Sequence, residues 1–254
     1  MPICSIKVKI MINRSILRFF SSSAKKHVFL LGAPGVGKTF YGAKMAADHN
    51  YDLIVLGDEI KSIATDSSTE AYKQFYQGKL VDDDTVFDLL KNRLEQGTTK
   101  NGFIIEGFPR TPRQLELYLG NNLPIDLVLN FTLQREVLEK RILGRLTCSS
   151  CKSTYNYFSF KSNGLDIDIN LPKKEGVCDD CGGEVKPRPD DSSEIAANKM
   201  KEYFESSGEV VSQLVMASMS DNMKKYNVIE YSPVHGTKNY KDFASKVKLV
   251  YESL

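Results

Sequence analysis

The sequence predicts an α/β fold in which helices flank a parallel sheet, with a small metal-bound lobe inserted into it. The apolar run HVFLL is followed by the glycine-rich segment GAPGVGKTF and then by YGAKMAADHN, which has helix-forming composition. Two later apolar runs, GFII and LPIDLVLNF, are also typical of buried parallel strands. Four of the five cysteines form two C-x-x-C pairs, a pattern typical of a bound metal in a reducing compartment.

The composition excludes several classes of protein. The chain has 254 residues, of which 41% are hydrophobic and 26% charged, a normal balance for one large or two small globular domains. Lys and Arg number 34 and Asp and Glu 32, so the net charge is 34 − 32 = +2, too small to favour nucleic acid as the main partner. No apolar run approaches the roughly 20 residues that a membrane-spanning helix needs.

The first 26 residues form a basic segment in which no acidic residue occurs. Its stretch MINRSILRFFSSSAKK is rich in Ser, and its apolar residues would gather loosely on one side of a helix. This composition is typical of a mitochondrial transit peptide, and the residues from Arg18 to Ser21 resemble a processing site cleaved after Phe20. We therefore expect a mitochondrial protein, in the matrix. A disordered basic tail on a cytoplasmic protein is the alternative.

The segment GAPGVGKTF has the strand, glycine loop and helix context that a phosphate-binding loop requires. Glycines at 32, 35 and 37 allow the backbone to curl with its N–H groups pointing inward, and the N-terminus of the following helix adds positive dipole. Lys38 supplies a point charge to a transferred phosphoryl group. The sequence therefore predicts a polyphosphate site here.

The motifs along the chain resemble those of the adenylate kinases and related nucleoside monophosphate kinases. GAPGVGKTF, VLGDEIK, GKLVDDD and NGFIIEGFPRTPRQ follow one another in family order and at family spacing, and the resemblance covers roughly residues 27 to 254. It implies a three-layer α/β P-loop kinase fold with a parallel sheet, a helical monophosphate-binding insert and a zinc-bound, β-rich lid insert. The implied divisions are 1–26 for the targeting segment or tail; 27–55, 87–145 and 190–254 for the core; 56–86 for the monophosphate-binding lobe; and 146–189 for the lid.

The resemblance also implies a role for individual residues. The residues expected to bind the donor nucleotide are Gly35, Val36, Gly37, Lys38, Thr39, Phe40, Arg141, Arg145, Thr154, Tyr155 and Pro233. The residues expected to bind AMP are Lys61, Lys79, Leu80, Val81, Gly107, Arg110, Gln114, Arg188 and Lys199. The residues expected to stabilise the transferred phosphoryl group are Lys38, Arg110, Arg145, Arg188 and Lys199. Mg²⁺, bound with ATP, is expected at Thr39 and, through water, at Glu106.

The two C-x-x-C pairs lie at Cys148 and Cys151 and at Cys178 and Cys181. Each tight turn aims two thiolates at one ion, so we expect tetrahedral zinc. Because four thiolates close the coordination sphere, the ion would be structural and would hold a lobe that lacks a core of its own. The stretch of 26 residues between Cys151 and Cys178 is longer than this type of lid usually has. We expect its extra piece to be a surface loop, and a binding function is the alternative.

The predicted activity is Mg²⁺-dependent transfer of the terminal phosphoryl group of ATP to AMP, giving two ADP, in a protein that family resemblance implies to be a monomer. A GTP:AMP phosphotransferase is the first alternative. A weak or inactive relative that only binds nucleotide is the second, because five ligand-facing positions depart from the family pattern. These positions are Phe40, Leu56, Lys61, Glu106 and Lys199.

Overall fold

The structure is a computed structural model of the chain. Of the predicted transit peptide, only residues 10–11 and 25–26 are among the described residues, and its processing site lies outside them, so that expectation stays a prediction. Within the described part of the chain, no helix is long and apolar enough to cross a bilayer. The described residues are 10–11, 25–97, 101–162, 164–219 and 226–252.

A mixed sheet forms the centre of the molecule. The strands of the described residues are β1 Ile10–Met11, β2 Lys26–Gly32, β3 Asp52–Val55, β4 Gly102–Glu106, β5 Leu127–Phe131, β6 Arg145–Cys148, β7 Thr154–Asn156, β8 Phe160–Ser162, β9 Leu165–Ile167, β10 Val185–Pro187 and β11 Asn227–Tyr231. The central sheet has the order β1-β11-β5-β2-β4-β3. Its strands β11, β5, β2, β4 and β3 are parallel, and β1 pairs antiparallel with β11.

Helices cover both faces of this sheet. The helices of the described residues are α1 Lys38–His49, α2 Leu56–Ile63, α3 Glu70–Tyr76, α4 Asp83–Gln96, α5 Pro112–Gly120, α6 Arg135–Leu143, α7 Ser193–Glu202, α8 Gly208–Met219 and α9 Tyr240–Glu252. A π-helical stretch, Tyr203–Ser207, joins α7 to α8, and a 3₁₀ turn, Gly236–Asn239, precedes α9.

Alternate residues in the middle of β2 show why residues 28–31 are all apolar. Val28 and Leu30 pack into the hydrophobic core on one face of the sheet, whereas Phe29 and Leu31 pack into the core on the other. Successive side chains of a strand point to opposite faces, so a strand buried on both faces must be apolar at every position. The predicted three-layer α/β fold with a parallel sheet is confirmed.

Two segments lie outside the three layers. Helices α2 and α3 form a small lobe between β3 and α4. The predicted border between this lobe and the core, at residue 87, falls inside α4. The second segment contains the three-stranded sheet β10-β6-β7 and the hairpin β8-β9. This β-rich segment is called the lid below.

The extra piece of the lid differs from the surface loop expected from the sequence. It forms the hairpin β8-β9, in which Leu165 and Ile167 are buried and pack with Val137 of α6. The sequence LDIDI alternates apolar and polar residues, which is the pattern of a half-buried strand. The hairpin therefore docks on the core with one face.

A buried polar cluster supports the amino end of β2. The backbone N–H of His27 donates to Asp126 at 2.6 Å, and the hydroxyl of Tyr118 donates to the carbonyl of Pro124 at 2.8 Å. Nδ1 of His27 lies 2.5 Å from the oxygen of the same hydroxyl. Because that hydroxyl already donates its hydrogen to Pro124, Nδ1 carries a hydrogen and donates it to the hydroxyl oxygen. Burial, and secondarily the charge of Lys25, lowers the pKa of His27 from 6.5 to about 4.

This histidine should make the stability of the protein fall below neutral pH. The unfolded chain takes up the proton of His27 near pH 6.5 and the folded chain only near pH 4. The stabilisation by neutral His27 is therefore complete above pH 6.5 and is lost as the pH falls towards 4, by up to about 3 kcal/mol. We expect His27→Gln to lose less unfolding free energy than the wild type in urea titrations between about pH 7 and 4.5.

The matched control for this prediction is His49→Gln, at the partly exposed end of α1. It should reproduce the pH dependence of the wild type. Equal losses in His27→Gln and the wild type would contradict the prediction.

Candidate active site

The loop between β2 and α1 encloses a small space beside the first turn of α1. Gly37 precedes the helix with a φ of 105°, and Gly35 has a φ of 82°. A Cβ atom at Gly35 would stand 2.8 Å from the carbonyl oxygen of Leu138, so neither the conformation nor the space admits a larger residue. The loop thus brings backbone and the N-terminus of a 12-residue helix to one point, an arrangement suited to a polyphosphate.

Lys38 is buried within this loop. Its ammonium group donates to the carbonyl oxygens of Gly32 at 2.7 Å and Ala33 at 2.9 Å. Burial lowers the pKa of Lys38 to about 8, although the nearby carboxylate of Glu106 acts in the opposite direction. Lys38 therefore remains mostly charged at neutral pH in surroundings where an anion would be strongly attracted.

Thr39 and Glu106 meet beside this lysine. The hydroxyl of Thr39, in the first turn of α1, donates to Oε1 of Glu106 at 2.9 Å, although Glu106 lies at the carboxyl end of β4. The other carboxylate oxygen, Oε2, is buried and has no hydrogen-bond partner among the described residues. Hydroxyl and carboxylate oxygens are ligands that Mg²⁺ prefers, so this pair fits the expected magnesium site.

A cleft of about 1510 Å³, including its part open to solvent, extends from this loop between the small lobe and the lid. Val36 and Pro233 are not among its lining residues: the Val36 side chain is fully buried in the core, and the carbonyl of Pro233 accepts a hydrogen bond from the N–H of Gly236 at 2.9 Å. The predicted site residues that line the cleft are Gly35, Gly37, Lys38, Thr39, Phe40, Lys61, Lys79, Leu80, Val81, Glu106, Gly107, Arg110, Gln114, Arg141, Arg145, Thr154, Tyr155, Arg188 and Lys199.

Two neighbouring carboxylates hold the cations at the centre of the cleft. Arg145 donates two hydrogen bonds to Asp191, at 2.8 and 2.6 Å. Asp190 lies between two lysines, with Oδ2 2.6 Å from the ammonium of Lys199 and Oδ1 3.3 Å from that of Lys61. Burial alone would raise the pKa of the Asp190 carboxyl, but the two lysines hold it well below its usual range.

Arg110 and Arg188 complete the group of cations. Arg110 follows β4, and its Nε donates to the carbonyl of Gly107 at 3.1 Å. Nε of Arg188 donates to the hydroxyl of Thr147 at 2.8 Å. Burial lowers the pKa of both guanidinium groups, yet at neutral pH an arginine keeps its charge. These contacts occupy Nε, and each guanidinium group has two further nitrogens that can donate to a phosphate.

Gln114 faces the cleft from the start of α5, but its amide is engaged with the protein. Its oxygen accepts the N–H of Arg110 at 2.8 Å, and its nitrogen donates to Asp83 at 2.9 Å. A base could bond to this amide only by replacing one of these partners or by sharing the oxygen.

The donor-side residues connect the cleft to the lid. Nε of Arg141 donates to the carbonyl of Gly35 at 2.8 Å, which fixes α6 against the phosphate-binding loop. In the lid, the hydroxyl of Tyr155 donates to the sulfur of Cys178 at 3.4 Å and accepts the N–H of Asp179 at 2.8 Å. A residue of the cleft wall therefore contacts the cysteine cluster directly.

The four cysteines of the two pairs converge in the lid, as the sequence predicted. Their sulfurs all lie within 4.8 Å of one another, and two pairs, Cys148 with Cys181 and Cys151 with Cys178, are 3.5 Å apart. Disulfides would need about 2 Å, whereas a tetrahedron of Zn–S bonds of about 2.3 Å separates the sulfurs by about 3.8 Å. The cluster therefore fits zinc.

Several residues of the cleft were missed in the sequence analysis. Asp190 and Asp191 directly follow Arg188 and Pro189. Two adjacent acids beside a predicted phosphate-binding cation are a sequence signal for ion pairs with the cations of the site. The alternation in LDIDIN signals a strand edge with polar residues on one side. The missed lining residues include Asp58, Asn156, Asp168, Asn170, Asp190 and Gly236.

Comparison with known proteins identifies the family. The family model for adenylate kinase matches residues 30–228. The chain is 35% identical to the adenylate kinase of Treponema denticola over 176 residues, which are 68% of this chain and 79% of that protein. It is 36% identical to the adenylate kinase of Methanosarcina mazei over 184 residues, 70% of this chain and 80% of that one.

A plant protein is similar to the same degree. The chain is 37% identical over 188 residues to the chloroplastic adenylate kinase 1 of Arabidopsis thaliana, with 70% of this chain and 64% of that protein covered. The family match spans most of the chain, and it includes both the phosphate-binding loop and the cysteine cluster. The chain therefore belongs to the adenylate kinase family.

Proposed function

We propose that the protein catalyses the reversible, Mg²⁺-dependent transfer of the terminal phosphoryl group of ATP to AMP, giving two ADP. The observation that carries this proposal is the convergence of eight cationic side chains with the phosphate-binding loop in one cleft. Family membership supports the same reaction. The eight cationic residues are Lys38, Lys61, Lys79, Arg110, Arg141, Arg145, Arg188 and Lys199.

The reaction needs position and charge rather than a covalent nucleophile. An oxygen of the AMP phosphate attacks the γ-phosphorus of ATP, the bond from that phosphorus to the β,γ-bridging oxygen breaks, and ADP leaves with the electron pair. Negative charge on the transferred group is stabilised by Lys38 from the loop and by Arg145 and Arg188 from the two ends of the lid. When bound with ATP, Mg²⁺ neutralises further charge on the phosphate oxygens, and Thr39 and Glu106 would hold it.

The acceptor would lie against the small lobe. Lys61 and Arg110 are placed to bind the AMP phosphate, and Gln114 to meet the base once its amide exchanges a partner. The other proposed AMP contacts are Lys79, Leu80, Val81, Gly107, Arg188 and Lys199. We propose that residues 56–86 bind the acceptor and residues 146–189 cover the donor, so that closure excludes water from the transfer.

Structural zinc is the proposed function of the cysteine cluster. The lid hydrophobic cluster contains few buried residues besides two of the cysteines themselves, namely Tyr155 and Val185. A lobe with so little apolar core gains much of its stability from a bound metal. The four thiolates leave no open coordination position, so the ion would not take part in the transfer.

Cellular location and assembly follow from weaker features of the chain. The acid-free, Ser-rich N-terminal segment supports import into the mitochondrial matrix. Closure of the cleft by two lobes of the same chain supports a monomer. ATP is the proposed donor, and GTP is the donor in the alternative GTP:AMP phosphotransferase.

A phosphotransfer panel tests the activity. Mg·ATP and Mg·GTP are offered as donors against AMP, CMP, UMP and GMP, and diphosphate formation is measured. Among the four monophosphates we expect only AMP to be phosphorylated, and we expect ATP to be a better donor than GTP. Lys38→Met should lower kcat by at least about a hundredfold, because it removes a charge-assisted contact made in the transition state. Lys44→Met, on an exposed face of α1, is the control.

The outcomes of this panel separate the alternatives. A preference for GTP would establish the GTP:AMP phosphotransferase. Tight binding of a bisubstrate dinucleotide without turnover would make the protein a nucleotide-binding relative that has lost activity.

The cysteine cluster predicts about one zinc ion per chain. The double variant Cys178→Ser, Cys181→Ser should lose the metal and unfold at a lower temperature, because the lid depends on the metal for its packing. Elemental analysis and thermal unfolding of the purified protein measure both effects. Cys4→Ser, the same chemical change outside the two pairs, is the control, and equal metal content in the double variant would refute the site.

The lysines at 61 and 199 should limit the rate or the affinity for AMP. The ammonium of Lys199 lies within 3.3 Å of three acceptors, two on Asp190 and one on Asp191, and it has only three hydrogens to donate. An arginine has five donors, so Lys61→Arg and Lys199→Arg should each raise kcat or lower the KM for AMP. The gain should be about one decade, as for one added charge-assisted hydrogen bond.

The control for these variants is Lys201→Arg, at an exposed position of the same helix α7. Its kinetics should equal those of the wild type. Unchanged kinetics in both Lys61→Arg and Lys199→Arg would show that the lysines are no handicap.

A further inference from the structure

The hairpin β8-β9 is fixed to the core at the nucleotide side of the molecule. Leu165 and Ile167 are buried against Val137 of α6, with Val234 packed against the same cluster. The N–H of Asp166 donates to the carbonyl of Val234 at 2.8 Å. The hairpin therefore runs beside the loop that precedes α9, and this loop contributes Gly236 to the cleft wall.

Asp168 reaches the cleft just beyond the end of this hairpin. Strand β9 ends at Ile167, so Asp166 lies on its less buried face and Asp168 is an exposed residue that directly follows the strand. Asp166 pairs with Lys161 within the hairpin at 3.8 Å, whereas Asp168 belongs to the cleft lining. These two acids, two positions apart in the sequence, thus have different surroundings.

The backbone next to Asp168 is held in place. Asn170 exchanges two backbone hydrogen bonds with Asn156, at 2.7 and 2.8 Å, and its side chain donates to the carbonyl of Thr154 at 3.2 Å. The side chain of Asn156 donates to the carbonyl of Arg141 at 2.7 Å. These bonds therefore fix the chain beside Asp168 against Thr154 and Arg141, two of the residues proposed to bind the donor nucleotide.

The charge of Asp168 selects the part of the donor that it can contact. A carboxylate only accepts hydrogen bonds, and it repels the oxygens of a triphosphate. The nucleoside half of the donor is uncharged, and it offers the ribose hydroxyls and the N–H groups of the base as donors. An acid at the wall of a nucleotide site is therefore suited to the nucleoside half.

We propose that Asp168 determines specificity for the donor nucleotide by accepting a hydrogen bond from its nucleoside half. The inference rests on the proposed function, because it assigns the donor to this side of the cleft. The hydrogen-bond donor is a ribose hydroxyl or an N–H group of the base. Removing either the carboxylate of Asp168 or the hydrogen-bond donor of the nucleotide should weaken binding. Removing both should weaken it little more than removing one.

The test measures binding without turnover. ATP, 2′-deoxy-ATP, 3′-deoxy-ATP, the triphosphate of purine riboside and GTP are titrated calorimetrically into the full chain with no monophosphate present. We expect the wild type to bind at least one analogue about 10- to 100-fold more weakly than ATP, the range for one charge-assisted hydrogen bond. In Asp168→Ala and Asp168→Asn, the ratio of the Kd for that analogue to the Kd for ATP should fall to less than about threefold.

The analogue whose ratio changes identifies the group that Asp168 binds. A change confined to a deoxy analogue assigns a ribose hydroxyl, and a change confined to purine riboside triphosphate or GTP assigns the base. Asp166→Asn is the matched control and should keep the ratios of the wild type. Ratios in both Asp168 variants that agree with the wild type within about twofold would overturn the proposal.

The result is separable from that of the phosphotransfer panel. A protein that binds these nucleotides with altered ratios in the Asp168 variants, yet does not phosphorylate AMP, would support the specificity role while refuting the proposed activity. A protein that phosphorylates AMP with unchanged ratios would do the reverse. A wild type that binds none of the triphosphates would overturn both.

Discussion

Cations concentrated in one cleft repel one another, and the carboxylates of Asp190 and Asp191 make this concentration possible. Arg145, Lys199 and Lys61 all contact one or both of these acids. Because the acids are buried, their attraction for the cations is poorly screened by water. The cleft thus keeps its positive side chains charged and in place before any phosphate arrives.

The parallel sheet explains why these charges meet at one edge. The phosphate-binding loop follows β2, Glu106 ends β4, and α2 begins directly after β3. Neighbouring parallel strands end at the same side of a sheet, and that side is where ligands bind in open α/β folds. Residues separated by 67 positions, such as Thr39 and Glu106, are then brought into hydrogen-bonding distance.

Local signals in the sequence were sufficient for the strand, loop and helix of the phosphate-binding site, whereas most other residues of the cleft were predicted from the family resemblance. Strand, glycine loop and helix at residues 26–49 could be predicted, because periodicity and turn chemistry act over a few residues. Each of the two cysteine pairs could be recognised as a pair of metal ligands for the same reason, since each pair forms its own tight turn. Partner choice within the cleft could not be predicted. The ion pairs of Asp190 and the two bonds that engage the Gln114 amide depend on side chains brought together only by folding.

The hairpin shows how a pattern can be present and still be misread. Its alternation was visible in LDIDI, but the surface that buries Leu165 and Ile167 comes from α6 and from the loop before α9, which are distant in sequence. A strand with no visible partner resembles a surface loop when the sequence is considered alone.

Two contacts of different kinds therefore hold the lid together and fix it to the core. Tyr155 joins the cleft wall to the cysteine cluster, and the hairpin joins the far part of the lid to the core through apolar packing. The apolar contact does not depend on a bound nucleotide, because its partners are all residues of the chain. Opening of the lid must then either separate Leu165 and Ile167 from Val137, at the cost of exposing buried apolar surface, or leave the hairpin in place and bend the chain beside it. In the second case the residues next to the hairpin, Asp168 among them, stay with the core while the end of the lid that carries the four cysteines moves.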